Sequence, residues 1–213
     1  MDINRNSQQL TKQMEKRYKN NDYMVKKEST VVMYSELWHA SGCLLEKAIE
    51  NSRRSSWLYL SSIIMSAFTF EAYLNHINDS YLKIKDKINE FEEMSPIDKL
   101  IMVSKELKIE SEFDKSRRPF QTIKSLYKFR NFFAHGKSLK MYSEYTTSQS
   151  KVNYETENYP KNEWIRKIED SKFAELVRED IDKSIRIIHA GINDINKENV
   201  FSFGHCTVDI SKK

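Results

Sequence analysis

The sequence predicts an all-α fold, an up-and-down helical bundle of four to five main helices with a long polar loop before the last helix. Three observations carry that expectation. Only 4 Gly and 3 Pro occur in 213 residues, too few for the sharp turns of a many-stranded sheet or a dinucleotide-binding loop. Apolar residues recur at intervals of three and four through most of the chain, which is the period of a helix with one buried face. The content is 39% hydrophobic and 12% aromatic, enough to build one core in a chain of single-domain size and to exclude disorder as the main state.

Residues 1–23 are polar, with Asn4, Asn6, Gln8, Gln9, Asn20 and Asn21, and read as a loose arm or a weak helix. From Met24 to about Asn51 the positions of Val31, Val32, Leu37, Ala40, Leu44, Ala48 and Ile49 mark an amphipathic first core helix. Arg53–Ser56 break the period. It resumes through Trp57, Leu60, Ile64, Ala67, Phe68, Ala72, Leu74, Ile77, Tyr81, Ile84, Ile88 and Phe91, a spine of more than 30 residues with an interruption near Asp79 and Ser80. Ser95-Pro96-Ile97-Asp98 is a helix start with a capping oxygen, a proline where no N–H is needed and an acid in the first turn, and the helix runs to about Leu107. Pro119 precedes the next, in which Phe120, Ile123, Leu126, Tyr127, Phe129 and Phe133 keep helical spacing over about 118–135 until Gly136, suited to a left-handed terminator. Residues 137–161 lose the period and read as a loop or small hairpin insert. Trp164, Ile168, Phe173, Leu176, Val177, Ile181, Ile185, Ile188 and Ile192 then predict a last helix of about 25 residues. The bundle therefore covers 24–192, and the tail 193–213, with Val200-Phe201-Ser202-Phe203, adds a short strand or packs on the bundle.

Composition narrows the function classes. Cys43 and Cys206 are far apart and outside any CxxC or Cys/His spacing, so neither a disulfide scaffold nor a zinc finger is supported, and a reducing, cytoplasmic setting is expected. The polar opening Met1-Asp2-Ile3-Asn4 predicts no secretory leader. The best apolar run, Trp57–Phe70, is shorter than the roughly 18 residues a membrane span needs. Neither cofactor nor metal is expected, since His39 and His76 fall within apolar helical patterns and His189 and His205 have no recognisable ligand partners.

The formal charge is only +4, but it is unevenly spread. Lys115, Arg117, Arg118, Lys124, Lys128, Arg130, Lys137 and Lys140 fall between Lys115 and Ser143 with no acid among them, so the rest of the chain is net negative. Such a region either attracts phosphates, as a nucleic-acid face would, or is a solvated helix surface. Within it lies Arg130-Asn131-Phe132-Phe133-Ala134-His135-Gly136. An imidazole moves a proton near neutrality, and a guanidinium holds a phosphate in two hydrogen bonds and stabilises charge developing on it. Together they suit metal-free RNA cleavage, in which the ribose 2′-hydroxyl attacks the adjacent phosphorus.

The segment Leu126–Lys137 resembles the signature of the HEPN superfamily (higher eukaryotes and prokaryotes nucleotide-binding), whose ribonucleases carry Arg, a polar residue often Asn, a few variable residues and His. Upstream, Ser66-Ala67-Phe68-Thr69-Phe70-Glu71-Ala72-Tyr73-Leu74-Asn75 resembles the acid-bearing helix of many prokaryotic members. The similarity covers roughly residues 30–190 and is specific only in these two segments. It implies a bundle that dimerises with both motifs facing a shared cleft, a composite, metal-independent endoribonuclease leaving 2′,3′-cyclic phosphate and 5′-hydroxyl ends. Relatives act as toxins or in antiphage defence, which implies as partners RNA, a second copy of the chain, and a nucleotidyltransferase-type antitoxin or another defence-system component. By the same carry-over Arg130 binds and polarises the phosphate, His135 is general acid or base, and Asn131 orients His135 or the phosphate. Glu71 fixes Arg130 or positions the ribose, with Asn75 one turn on. Lys128, Lys137, Lys124, Arg118, Arg117 and Lys140, together with Asn75, are then the RNA-binding set.

Other readings stand beside these. Glu71 in an apolar stretch needs a partner, so Arg130 or Arg118 also reads as its structural counterion. Phe132 and Phe133 are core or dimer contacts, or base-stacking platforms. Tyr142, Tyr145, Tyr154 and Tyr159, interleaved with Lys140, Lys151 and Lys161, are a single-strand platform or plain surface. The rival to catalysis is a non-catalytic HEPN-like module that binds nucleic acid, a nucleotide or a protein partner.

Overall fold

The computed structural model describes residues 23–51, 55–82, 88–136, 138, 140–144, 146–152, 160–192, 200–202, 204 and 206–212. These form β1 (Tyr23–Ser29), α1 (Met33–Glu50), α2 (Ser55–Ile77), α3 (Ile88–Glu93), α4 (Pro96–Glu106), α5 (Phe120–Ala134), α6 (Glu163–Arg166), α7 (Lys172–Ala190) and β2 (Cys206–Lys212). A π-turn, Asn78–Leu82, follows α2, and 3-10 turns occupy Glu110–Phe113 and Gln149–Lys151. The protein is mostly helical, as expected. No helix among the described residues is long and apolar enough to cross a membrane.

The chain divides into two compact units, one holding β1 and β2 and the other spanning Met33–Ser202. In the first, β1 and β2 form an antiparallel ribbon in which Val25 faces Ile210, Lys26 faces Asp209 and Lys27 faces Val208. This corrects the first helix, expected from Met24. It begins at Met33, because the segment before it pairs with the β-branched run Thr207, Val208 and Ile210, Val25 opposite Ile210, a pairing no local period reveals. Residues 1–22 of the expected arm lie outside the described residues.

In the second unit α2 is the spine, packed by α1, α4, α5 and α7. Ile63, Ala67, Phe70, Tyr73, Leu74 and Ile77 are fully buried along it, so it is apolar on more than one face. Helix α1 approaches closely through small residues. Ser41 Oγ donates to Ser62 O and Ser62 Oγ to Ser41 O, both at 2.9 Å, while Ser41 and Ser66 share a hydroxyl contact of 2.7 Å. The buried hydroxyls are thereby satisfied. On α7 the stripe Ala174, Val177, Ile181, Ser184, Ile185 and Ile188 is buried at helical spacing.

The expected interruption of the spine falls where Asp79 and Ser80 enter the π-turn. Ser95 caps α4 by accepting from the Asp98 N–H at 3.2 Å. The expected long last helix is instead two helices. Asn162 caps the start of α6 through Ile165 N at 2.8 Å, and at the break Asp170 Oδ1 accepts from Lys172 N at 3.1 Å, so a side chain takes an N–H group that a continuous helix would bond to its own backbone. Gly136 is not left-handed, since no described glycine has positive φ. Its role is proximity, because a Cβ there would lie 2.6 Å from Phe132 O. In the tail Val200 is buried and Phe201 stacks on Trp38 at 4.5 Å between ring centroids, while the strand lies further on, at β2. Between α5 and α6 no hairpin occurs among the described residues, and 153–159 lie outside them.

Candidate active site

Helices α2, α4 and α5 meet at one end of a shared core and carry the polar residues there. Tyr127 ties α5 to α2 by donating from its buried phenol to Ala67 O at 2.9 Å. Burial, then the Glu71 charge, holds that phenol protonated well above the ordinary tyrosine range, with Arg130 opposing. One turn beyond Ala67, Glu71 turns toward α5. Its Oε2 accepts from Arg130 Nη2 at 2.9 Å, with both side chains about three-quarters buried. Arg130 Nη1 donates to Asn131 Oδ1 at 3.0 Å, and its planar group lies 6.0 Å from the Phe68 ring centroid and 5.9 Å from that of Tyr127. Arg130 Nε is buried without a hydrogen-bond partner.

His135 is the C-cap of α5, its backbone N–H bonded to Asn131 O at 3.0 Å and its side chain exposed. Glu71, Arg130, Asn131 and His135 all line one cavity of about 500 Å³. Lys124 and Lys128 add basic groups to its lining, to which Glu92 and Glu93 of α3 and Met94–Ile97 at the start of α4 also contribute. The Arg/Asn/His motif and the acid of α2, far apart in sequence, are therefore brought together. Asn131 has its side-chain oxygen on Arg130, and its backbone oxygen accepts from the His135 N–H.

The remaining candidates are elsewhere. Arg118 Nε and Nη2 donate to Asp180 Oδ2 and Oδ1 at 2.7 and 2.9 Å, and Nη2 also donates to Glu179 Oε2 at 2.9 Å. It serves α7 as counterion, not Glu71. Arg117 Nε stands 3.5 Å from Asp114 Oδ2 at the surface. Lys140 and Tyr142 are exposed in the loop, and Lys137, Tyr145, Tyr154, Tyr159 and His205 lie outside the described residues. Phe132 and Phe133 join an aromatic cluster, Phe132 stacking on Trp164 at 6.0 Å and Phe133 packing on Phe129 at 4.7 Å, which is the core reading. His76 lies against Tyr34, and Tyr73 Oη is 3.3 Å from His189 Nδ1.

Asn75 lies behind Glu71, where its Oδ1 accepts from Lys99 Nζ at 2.9 Å. Lys99, on α4, is the site residue the sequence reading missed. It is 1% exposed and its ammonium stands 3.7 Å from Glu71 Oε1. The signal was present, because Lys99 precedes Val103 by one turn and adjoins Leu100 on the buried stripe of α4. Among the described residues no cluster of His, Cys, Asp or Glu could hold a metal ion.

The chain matches no protein-family model, and no curated protein or solved structure matches it.

Proposed function

We propose that this chain is a metal-independent endoribonuclease of HEPN type, a toxin or antiphage-defence effector. One observation carries the reading: Arg130, oriented by Glu71, opens with His135 onto a single cavity in the order that the resemblance requires. In the reaction an imidazole takes the proton of the ribose 2′-hydroxyl, whose oxygen attacks phosphorus and displaces the 5′-oxygen. That oxygen leaves with a proton from an imidazolium, giving 2′,3′-cyclic phosphate and 5′-hydroxyl ends. Arg130 stabilises the charge on the pentacovalent phosphorus. Each chain supplies one His135, so acid and base come from two copies facing a shared cleft. The test is tightly induced expression of the wild type beside His135→Ala, with total RNA read for new 5′-hydroxyl ends. Growth arrest and new ends with the wild type alone support the reading, and cleavage by purified protein persists in EDTA.

One observation favours the rival, a non-catalytic binding module with a nucleotidyltransferase-type or other partner. Arg130 already has a carboxylate on it, so part of its charge is answered within the wall of the cavity. Equal harmlessness of wild type and His135→Ala at equal soluble level, without new ends, selects that reading.

A further inference from the structure

Glu71 has a different cation on each oxygen. Oε2 takes Arg130 Nη2 at 2.9 Å and Oε1 faces Lys99 Nζ at 3.7 Å. Lys99 is otherwise enclosed, hydrogen-bonded to Asn75 and 5.6 Å from the Phe91 ring centroid. Burying an ammonium is costly unless it is paired, so this arrangement needs a reason beyond filling space, which a methionine would do as well.

The reason lies in what Arg130 does not do. At Arg118 the Nε and Nη2 edge of the guanidinium closes a two-bond fork on Asp180. At Arg130 only Nη2 is bonded to Glu71, and Nε is left without a partner. The second oxygen that would complete the fork is the one turned to Lys99. The cavity's permanent charges otherwise balance, Glu71, Glu92 and Glu93 against Lys124, Lys128 and Arg130. The positive charge that tips the site toward a phosphate sits behind its wall, on Lys99.

We infer that Lys99 is a positioning residue of this site: by holding Oε1 of Glu71 it keeps the carboxylate from closing on Arg130, which stays oriented but not neutralised, ready for a phosphodiester of an RNA strand. The inference rests on the ribonuclease reading for the identity of that phosphodiester. Without Lys99, both oxygens of Glu71 go to Arg130 in the fork seen at Arg118, and the guanidinium loses its call on a phosphate.

The test uses the full chain and two probes, a 2′-O-methyl RNA oligonucleotide that cannot be cleaved and the same sequence with 2′-hydroxyls. Lys99→Met is expected to weaken binding of the uncleavable strand about tenfold, make its salt dependence shallower by about one charge and lower cleavage about 100-fold. Removing the competing carboxylate as well, in Lys99→Met/Glu71→Gln, restores binding to within about threefold while cleavage stays low, because Arg130 is free but unoriented. A merely structural lysine gives no such rescue. If Lys99→Met does not fold, Lys99→Gln, whose amide still donates to Asn75, carries the same comparison. Wild-type binding and cleavage in the folded single variant, or a double variant no better than the single, overturns the inference and leaves the ribonuclease reading standing. Binding by the wild type without cleavage, with the rescue intact, upholds the role of Lys99 and overturns the ribonuclease reading. A wild type that neither binds nor cleaves RNA overturns both.

Discussion

Arg118 precedes α5 and Arg130 lies in its last turns, in one basic run, and each reaches a carboxylate on another helix. At Arg118 one guanidinium meets two acids, Asp180, which is 3% exposed, and Glu179 at the surface. The hydrogen bonds that Arg118 donates to Asp180 first and Glu179 second push its pKa further above its ordinary range. At Arg130 one acid meets two cations, because Glu71 is shared with Lys99. The first arrangement is closed and net negative, the second open and net positive. On the proposed function, what separates a structural arginine from one available to a ligand is the number of carboxylates around it and whether the fork is complete, not the charge of the surrounding sequence.

The comparison breaks most sharply by substitution at the two arginines. Arg130→Ala and His135→Ala are expected to lower cleavage by about 10³-fold, the scale of losing a positioned proton carrier or a charge-stabilising donor. His135→Ala should keep the wild-type melting temperature to within about 3 °C, as scanning calorimetry reads it, whereas Arg130→Ala should lower it by several degrees, because three-quarters-buried Glu71 is left with Lys99 alone. Arg118→Ala should do the reverse of His135→Ala. It leaves Asp180 buried without its fork and costs about 2 kcal/mol in urea unfolding, below the full cost of a broken buried pair because Arg118 is half exposed. RNA affinity in the remaining folded protein stays within about twofold. Loss of RNA binding without loss of stability in Arg118→Ala would return this residue to the phosphate-binding set.

A smaller effect is expected at Gly136. A Cβ there meets Phe132 O at 2.6 Å, a backbone atom that cannot swing aside, so Gly136→Ala must shift the end of α5 that carries His135. Cleavage is expected to fall about tenfold with Arg130-dependent binding unchanged, which separates the two halves of the motif by kcat against KM.

Legibility followed the range of the interaction. The cap at Ser95-Pro96-Asp98 is a contact within one turn and was readable residue by residue. The Arg130–Glu71 pair spans 59 positions, and came from the resemblance together with the general need of a half-buried acid for a counterion. The partners of Arg118 lie 61 and 62 positions on, in a helix whose buried stripe includes Asp180 but does not say which cation meets it. The first strand failed for the same reason, since its partner is at the other end of the chain. Lys99 shows a different failure, in which a charge within an apolar stripe passes for surface unless the stripe is followed through it.

The smallest expected effect is a pH dependence that belongs to neither arginine. His76 closes α2 and packs on Tyr34 at 5.2 Å and Tyr81 at 6.0 Å between ring centroids, with Ser80 Oγ 3.4 Å from its Nδ1. Burial lowers its pKa below the ordinary 6.5, Asp79 pulls upward and His189 adds to the lowering. Well above pH 6.5 the imidazole is neutral in both folded and unfolded chains and contributes no slope. As the pH falls below that value the unfolded chain takes up a proton that the folded one resists, so stability drops until the lowered folded pKa is passed. Urea midpoints measured from pH 7 downward should therefore decline, and His76→Gln should flatten this part of the decline while Arg130→Ala leaves it in place. If Arg130→Ala flattens it instead, the titrating group sits in the cavity, and the open arginine is coupled to a proton that its present partners do not supply.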